Sequence, residues 1–230
     1  MNNKPLEMIV AATARGEIGY QNTIPWRLKG DLRRFKEITM GNIVIMGKNT
    51  YESLPGPLEG RTVIVVSTSL AATYSLVGSP LGRCIKNPNV FYVHSLSAAL
   101  KYAKDMEGDK ILIAGGVQLY RAALDMPITL HLTLVHKKPE FEKKWDALVA
   151  EHGMLALEKY ITPHQTKPEY DAVIPGFNLS EFNLLNTPIE PKYPIGLNGQ
   201  TMYDIDPVTN LPTPSHTYLT YRSKNHPDNG

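Results

Sequence analysis

The sequence predicts an α/β fold in which one sheet has crossover helices on both faces. Short β-branched runs that are apolar on both faces recur at 8–12, 43–46, 62–66, 90–93 and 111–114, as central strands covered on both sides require. Stretches with helical spacing alternate with them at 30–39, 48–54, 97–104 and 117–124. At 230 residues the chain is long enough to bury a proper core and reads as one domain, 1–230.

The first run is interrupted by Thr13 and ends at Arg15-Gly16, which makes it a first strand rather than the apolar part of a secretion signal. In the first helix, Leu28, Leu32, Phe35 and Ile38 form an apolar stripe facing a core. Asp31 lies on that stripe, while Arg33, Arg34, Lys36 and Glu37 take mostly the other face. A carboxylate on a buried face is expensive, so a chain keeps one there for a structural partner or for chemistry. An Asp in the first turn also caps free backbone N–H groups and complements the helix dipole, and this segment alone leaves both readings open. Pro25-Trp26 just before it supplies a rigid turn and a large ring.

Further along, Leu119, Tyr120, Ala123 and Leu124 line one side of the helix at 117–124, and 128–135 alternates as another strand. Residues 141–152 form an amphipathic stretch with Phe141, Trp145, Leu148 and His152 at helical spacing. Packing on its own domain is its first reading, and a surface for self-association or another protein is its second. Six prolines in 187–214 predict a long ordered loop or arm without a regular element. The alternation at 215–222 predicts a closing strand.

Composition narrows the partners. With 24 Lys+Arg against 22 Asp+Glu, the net charge of +2 is too balanced for nucleic acid or an anionic membrane as the main partner. The single cysteine, Cys84, excludes an intrachain disulfide and a thiolate metal site, and fits a reducing, cytoplasmic compartment. His94, His131 and His164 have no carboxylate or Cys at ligand spacing, so no metal is assigned.

Three strands end in small or polar residues that lead into a turn or helix: Gly47-Lys48 with Thr50, Ser67-Thr68, and Ala114-Gly115-Gly116. Carboxyl ends of strands that feed helix N-termini are where α/β proteins hold phosphates. Gly115-Gly116 admits close backbone approach, and Lys48, Thr50, Ser67 and Thr68 offer donors to phosphate oxygens. The three together point to a dinucleotide with an extra phosphate. Neither a Gly-x-Gly-x-x-Gly fingerprint nor a Walker A motif is present.

These residues fall into a longer pattern. Ile18-Gly19, Ile24-Pro25-Trp26, Leu28, Asp31-Leu32 and Phe35-Lys36 are followed by Val44, Gly47-Lys48, Thr50 and Glu52-Ser53. Pro57, Gly60-Arg61, Ala114-Gly115-Gly116 and Tyr120 complete it. In order and spacing the pattern resembles the dihydrofolate reductase family over about residues 8–136, with a looser match at 173–185 and in the terminal strand. That resemblance implies a mixed, mostly parallel central sheet flanked by helices, with antiparallel C-terminal strands. It also implies NADPH-dependent reduction of 7,8-dihydrofolate to 5,6,7,8-tetrahydrofolate, in support of one-carbon and thymidylate metabolism.

By the same resemblance Asp31 is the active-site carboxylate, Trp26 holds an ordered water, and Thr133 hydrogen-bonds beside the carboxylate. Ile9, Leu32, Phe35 and Leu54 wall the substrate, and Arg61 pairs with the carboxylate of its glutamate tail. Ala11, Ile18 and Tyr120 sit at the nicotinamide end of the cofactor, with Gly47, Thr50, Ala114, Gly115 and Gly116 along its phosphates. Lys48, Ser67 and Thr68 sit at the 2′-phosphate, and residues 13–26 resemble a flap that closes over the nicotinamide. Lys29, Ala114 and Thr68 depart from the usual family residues, the last leaving the strictness for NADPH over NADH open.

Relative to the family plan, 137–172 and 187–214 are insertions that offer surface to a partner, and the chain is a monomer or a homodimer. Two other functions share parts of this pattern. A related reductase of riboflavin synthesis shares the fold but has no use for Asp31 with Pro25-Trp26, or for Arg61. A folate- or nucleotide-binding protein without turnover is the alternative outside enzymes.

Overall fold

The computed structural model describes residues 4–13, 15–24, 26, 28, 30–74, 81–84, 86–135, 172–185, 201–205 and 212–227. The amphipathic stretch at 141–152 and most of both insertions lie outside the described residues. In chain order the strands are β1 (Leu6–Ala12), β2 (Glu17–Gly19), β3 (Ile43–Gly47), β4 (Thr62–Val66), β5 (Gly82–Arg83) and β6 (Val90–Val93). They continue as β7 (Ile111–Ile113), β8 (Thr129–Val135), β9 (Ala172–Val173), β10 (Phe182–Leu184), β11 (Thr201–Ile205) and β12 (Pro212–Ser223). The helices are α1 (Asp31–Thr39), α2 (Lys48–Glu52), α3 (Thr68–Tyr74), α4 (Leu96–Ala103) and α5 (Val117–Leu124).

One sheet runs in the order β10-β12-β8-β1-β7-β3-β4-β6-β5, with β11 paired to β12. Neighbours from β8 through β6 are parallel, whereas β12, β10, β11 and β5 join antiparallel. The continuous apolar runs follow from cover on both faces: Ile43, Val44 and Ile45 are all at 0% exposure. One cluster joins Met8, Val10, Ile45, Leu130 and Leu132 with Leu119, Tyr120 and Ala123 of α5 and with α4. The other joins Ile9, Val44, Met46, Val65 and Leu112 with Phe35 and Ile38 of α1 and with Tyr51, Leu54 and Leu70. Ser95 starts α4 by accepting the Ala98 N–H on its hydroxyl.

Two expectations are corrected. Residues 187–214 contain a regular element after all, because β11 pairs with β12 from Thr201↔Thr217 to Ile205↔Pro212. The six prolines fall outside 201–205, so that run keeps every N–H for a ladder. The second correction concerns α1. Leu32 is 78% exposed, and Arg34 is buried at 7%. The buried side of the helix runs through Asp31, Arg34, Phe35 and Ile38 at spacings of three and four, and Leu32 stands about 100° round from Asp31.

A charged cluster is buried at the start of β1. Glu7 accepts from Lys110 Nζ at 2.9 Å, and its other oxygen lies 2.7 Å from His131 Nε2. Burial pushes the Glu7 carboxyl up, but His131 and Lys110 outweigh it and hold Glu7 below its ordinary value. Stability from a carboxylate held low is present above the ordinary value and is lost as pH falls through the folded one. Glu7→Gln is therefore expected to lower the unfolding free energy near neutral pH by about 1–3 kcal/mol. In urea unfolding the difference should shrink below about pH 4.

Candidate active site

The carboxyl ends of β1, β3, β4 and β7 share one edge of the sheet, and the functional side chains gather there. Gly30, at φ 86°, occupies the left-handed region in front of α1, where an added Cβ would meet the Tyr218 hydroxyl at 3.3 Å. The turn thus delivers Asp31 against β8 and β12. Thr133 donates its hydroxyl to Asp31 Oδ1 at 2.7 Å. The N-cap of α1 is Gly30, which has no side chain to cap the helix, and Thr133 supplies the hydrogen bond to the Asp31 carboxylate. Burial raises the Asp31 carboxyl above its usual range, against the lowering influence of Thr133 and then of Arg34.

The remaining residues expected on the substrate side lie on β1, on and just before α1, and between α2 and β4. Ile9 is buried at 6%, and Phe35 and Leu54 pack against the same cluster. Leu32 is exposed on the side of α1 away from the core, and Trp26 is half-buried. Pro25, Arg27 and Lys29 lie outside the described residues, so the turn expected at Pro25-Trp26 is not described. Arg61 is buried at 8%, with Nε on the Glu59 carbonyl at 3.1 Å and Nη1 on the Thr39 hydroxyl at 3.2 Å. A concave site of about 400 Å³ is lined by Lys36, Met40, Pro57, Glu59, Gly60 and Arg61.

On the cofactor side the turns at Gly47 and at Gly115-Gly116 meet. The Gly47 N–H donates to the Gly115 carbonyl at 2.7 Å. The Gly115-Gly116 peptide is cis, and Gly115 has φ 118°. The Thr50 hydroxyl lies beside both glycines, 3.1 and 3.2 Å from where their Cβ atoms would be. Gly116 is the N-cap of α5 and has no side chain of its own to cap the leading N–H groups of that helix. These residues fit a pyrophosphate. Ala114 is buried, and Tyr120 is buried with its hydroxyl donated to the Ile9 carbonyl at 2.9 Å.

Other members are less directly placed. Lys48 lies 3.8 Å from Glu52 on its own helix, an exposed pair. The Ser67 hydroxyl accepts the Leu70 N–H and sits 3.1 Å from Ser69 Oγ, so part of its capacity serves α3, where Thr68 is the first residue. Ala11 is half-buried beside Thr133 in the β1–β8 register. Ile18 sits on β2, which pairs with β9 and packs against the α5-side core.

Sequence reasoning missed three residues around Asp31. Arg34 donates from Nη1 to the Thr133 hydroxyl at 3.3 Å and stacks its guanidinium 4.8 Å from the centre of the Tyr218 ring. Tyr218 in turn lies 3.0 Å, hydroxyl to Nε2, from the fully buried His216. Arg34 was available from its spacing, three residues after Asp31. Tyr218 needed the β8–β12 register, which pairs it with Thr133.

Comparison with known proteins follows this geometry. A family model described as dihydrofolate reductase matches residues 5–154. Dihydrofolate reductase type 8 of Escherichia coli is 41% identical over 135 residues, covering 57% of this chain and 75% of the relative. Type 9 of Escherichia coli is 32% identical over 167 residues, covering 70% and 88%. The solved structure of dihydrofolate reductase from Enterococcus faecalis, complexed with NADP(H) and RAB-propyl, has a TM-score of 0.57 at 23% identity, covering 96% and 97%. Its likeness shows a shared fold. With the family model matched over residues 5–154, well over half of its length, and relatives 41% and 32% identical, the chain belongs to the dihydrofolate reductase family and is an enzyme of dihydrofolate reduction.

Proposed function

We propose that the chain reduces 7,8-dihydrofolate to 5,6,7,8-tetrahydrofolate with NADPH, and that Asp31 is the group that brings the proton to N5 of the pterin. The observation that carries this reading is the buried Asp31 carboxyl, raised by burial and held at 2.7 Å by Thr133. A carboxylate matches the N–C–N edge of the pterin with two parallel acceptors. A raised carboxyl also retains its proton closer to neutral pH, where it serves as an acid. NADPH, when bound, supplies the hydride that passes to C6.

The chain's own residues do the rest. Ile9, Leu32, Phe35 and Leu54 provide apolar walls, and the exposure of Leu32 suits a side chain that substrate covers. Trp26 walls the pterin end and holds the water beside it. Arg61 takes the tail carboxylate, a role supported by its buried placement at the rim of the concave site. Gly47, Thr50, Ala114, Gly115 and Gly116 carry the pyrophosphate, supported by the uncapped start of α5. Ala11, Ile18 and Tyr120 border the nicotinamide. Lys48, Ser67 and Thr68 take the 2′-phosphate, and the exposed pairing of Lys48 with Glu52 is weak enough to yield to it. Residues 13–26 close over the nicotinamide and exclude water.

Among the described residues no helix is long and apolar enough to cross a membrane. We place the enzyme in the cytoplasm, with the one unpaired cysteine as support.

Activity is tested by NADPH oxidation with dihydrofolate. The protonated fraction of a carboxyl whose value is raised persists to higher pH than that of a free aspartate, and is lost as pH rises through that raised value. Asp31→Asn is expected to slow turnover by about 10²–10⁴-fold. The deficit should widen as pH rises towards the raised Asp31 value, where solution protonation of the substrate no longer substitutes, and level off above it. Wild type that binds both ligands without turnover would sink the enzymatic assignment of this site.

Arg61→Gln should raise KM for dihydrofolate about 10–100-fold with little change in kcat, the signature of lost uniform binding. The effect should vanish with a substrate lacking the glutamate. For the cofactor, Lys48→Ala is expected to raise KM for NADPH by about tenfold and to leave KM for NADH unchanged. Equal changes for both dinucleotides would remove Lys48 from the 2′-phosphate.

A further inference from the structure

We propose that Arg34 is a positioning residue for the reaction, fixing the Thr133 hydroxyl on Asp31 and keeping a cation behind that carboxylate throughout turnover. The proposal rests on the assignment of Asp31 as the proton-bearing group. Arg34 lies three residues after Asp31 on the buried side of α1 and is only 7% exposed. A guanidinium there loses hydration, and the contacts that offset the loss include the Tyr218 ring, 4.8 Å from its carbon, and the Thr133 hydroxyl, 3.3 Å from Nη1.

A threonine hydroxyl has one hydrogen to give and lone pairs to receive. By itself it rotates between a donor and an acceptor role towards a carboxyl. With the Arg34 N–H directed at its oxygen, the hydrogen goes to Asp31 Oδ1. The three groups form a polarised chain, Arg34 to Thr133 to Asp31, in which each bond strengthens the next. This selects the orientation that stabilises ionised Asp31.

The other charged or titratable groups facing the carboxylate do not duplicate this. Tyr120 on α5 and Tyr218 on β12 are phenols held neutral by burial and then by the Asp31 charge, Tyr218 being pushed up to about 12. Glu37 of α1 acts on Tyr218 with the same sign as Asp31. Among the described residues, Arg34 is the cation whose charge lowers Asp31. Bound substrate removes water from the cleft and makes ionised Asp31 costlier. A cation that stays in place keeps the carboxyl able both to give up and to regain its proton in each cycle.

Two readouts test this in the full chain. The first is the ¹³C NMR titration of the Asp31 carboxyl, assigned by its loss in Asp31→Asn, in wild type, Arg34→Met, Arg34→Gln and Arg34→Lys. The midpoint is expected to rise by about one pH unit in the two neutral variants and to return towards wild type in Arg34→Lys. The second is the pH dependence of single-turnover NADPH oxidation, whose alkaline limb should move up by the same amount. Arg34→Gln keeps a donor for Thr133, so it carries the charge test if Arg34→Met does not fold.

A lowered melting temperature with an unmoved midpoint makes Arg34 a packing residue and overturns the proposal. A midpoint that moves in the Arg34 variants, with a wild type that does not oxidise NADPH, defeats the reading of the site as catalytic and with it the role of Arg34 in turnover.

Discussion

The 2.7 Å bond from Thr133 to Asp31 spans 102 residues of sequence, and the geometry of the whole cleft is built to make it. A carboxylate taken out of water is destabilised, so its place must be enforced by a framework that does not relax around it. Three adjacent strands supply that framework. Ala11 pairs with Thr133 across β1 and β8, and Thr133 pairs with Tyr218 across β8 and β12. Paired residues point to the same face, so β8 presents its hydroxyl between a strand on each side, and α1 lies over all three. The left-handed Gly30 then ends the approach to α1 at the one place where Asp31 reaches that hydroxyl.

That face of the sheet divides into two halves. Under α2 and the C-terminal part of α1, β3, β4 and β7 carry Val44, Met46, Val63, Val65 and Leu112, and the packing is dry. On the β1, β8 and β12 side the same face carries Glu7, His131, Thr133 and Tyr218. α1 straddles the boundary, with Phe35 and Ile38 on the dry half and Asp31 and Arg34 towards the polar one. Buried polar groups of this kind cost stability unless they find partners, and the bonds of Asp31 and Arg34 to Thr133 favour one arrangement of the helix on the sheet. The polar half therefore fixes where α1 sits, and the apolar half supplies most of the burial that holds it.

Much of this was legible in the chain. The both-face apolar runs located the parallel strands to within a residue or two, because a strand covered on two sides has no polar position to confuse the signal. The glycine turns and Asp31 were legible for a related reason: their residue types contradict their surroundings unless they do something. Arg34 was misread because a charged residue on a helix is ordinarily solvated, and its burial depends on Tyr218, 184 positions further on by residue number. Leu32 was misread because a stripe drawn from Leu28 carried the phase across Gly30, where the helix has not yet begun. β11 was hidden by its proline-rich neighbours, since composition over a long window averages away a proline-free pentad that finds a partner only in three dimensions. The cluster of Glu7, Lys110 and His131 left no trace, as its members belong to three different strands or strand ends.

Tyr120 ties two parts of the sheet edge to one atom. Its hydroxyl bonds the carbonyl of Ile9, and the same oxygen lies 3.4 Å from where a Cβ on Gly115 would stand. A single buried oxygen thus sits between the strand that carries Ile9 and the backbone proposed to run under the cofactor. Its place is held by the packed core around the ring, which has little room to adjust. The distance between the two proposed binding surfaces is then set from inside the protein, as a reaction between two positioned ligands requires.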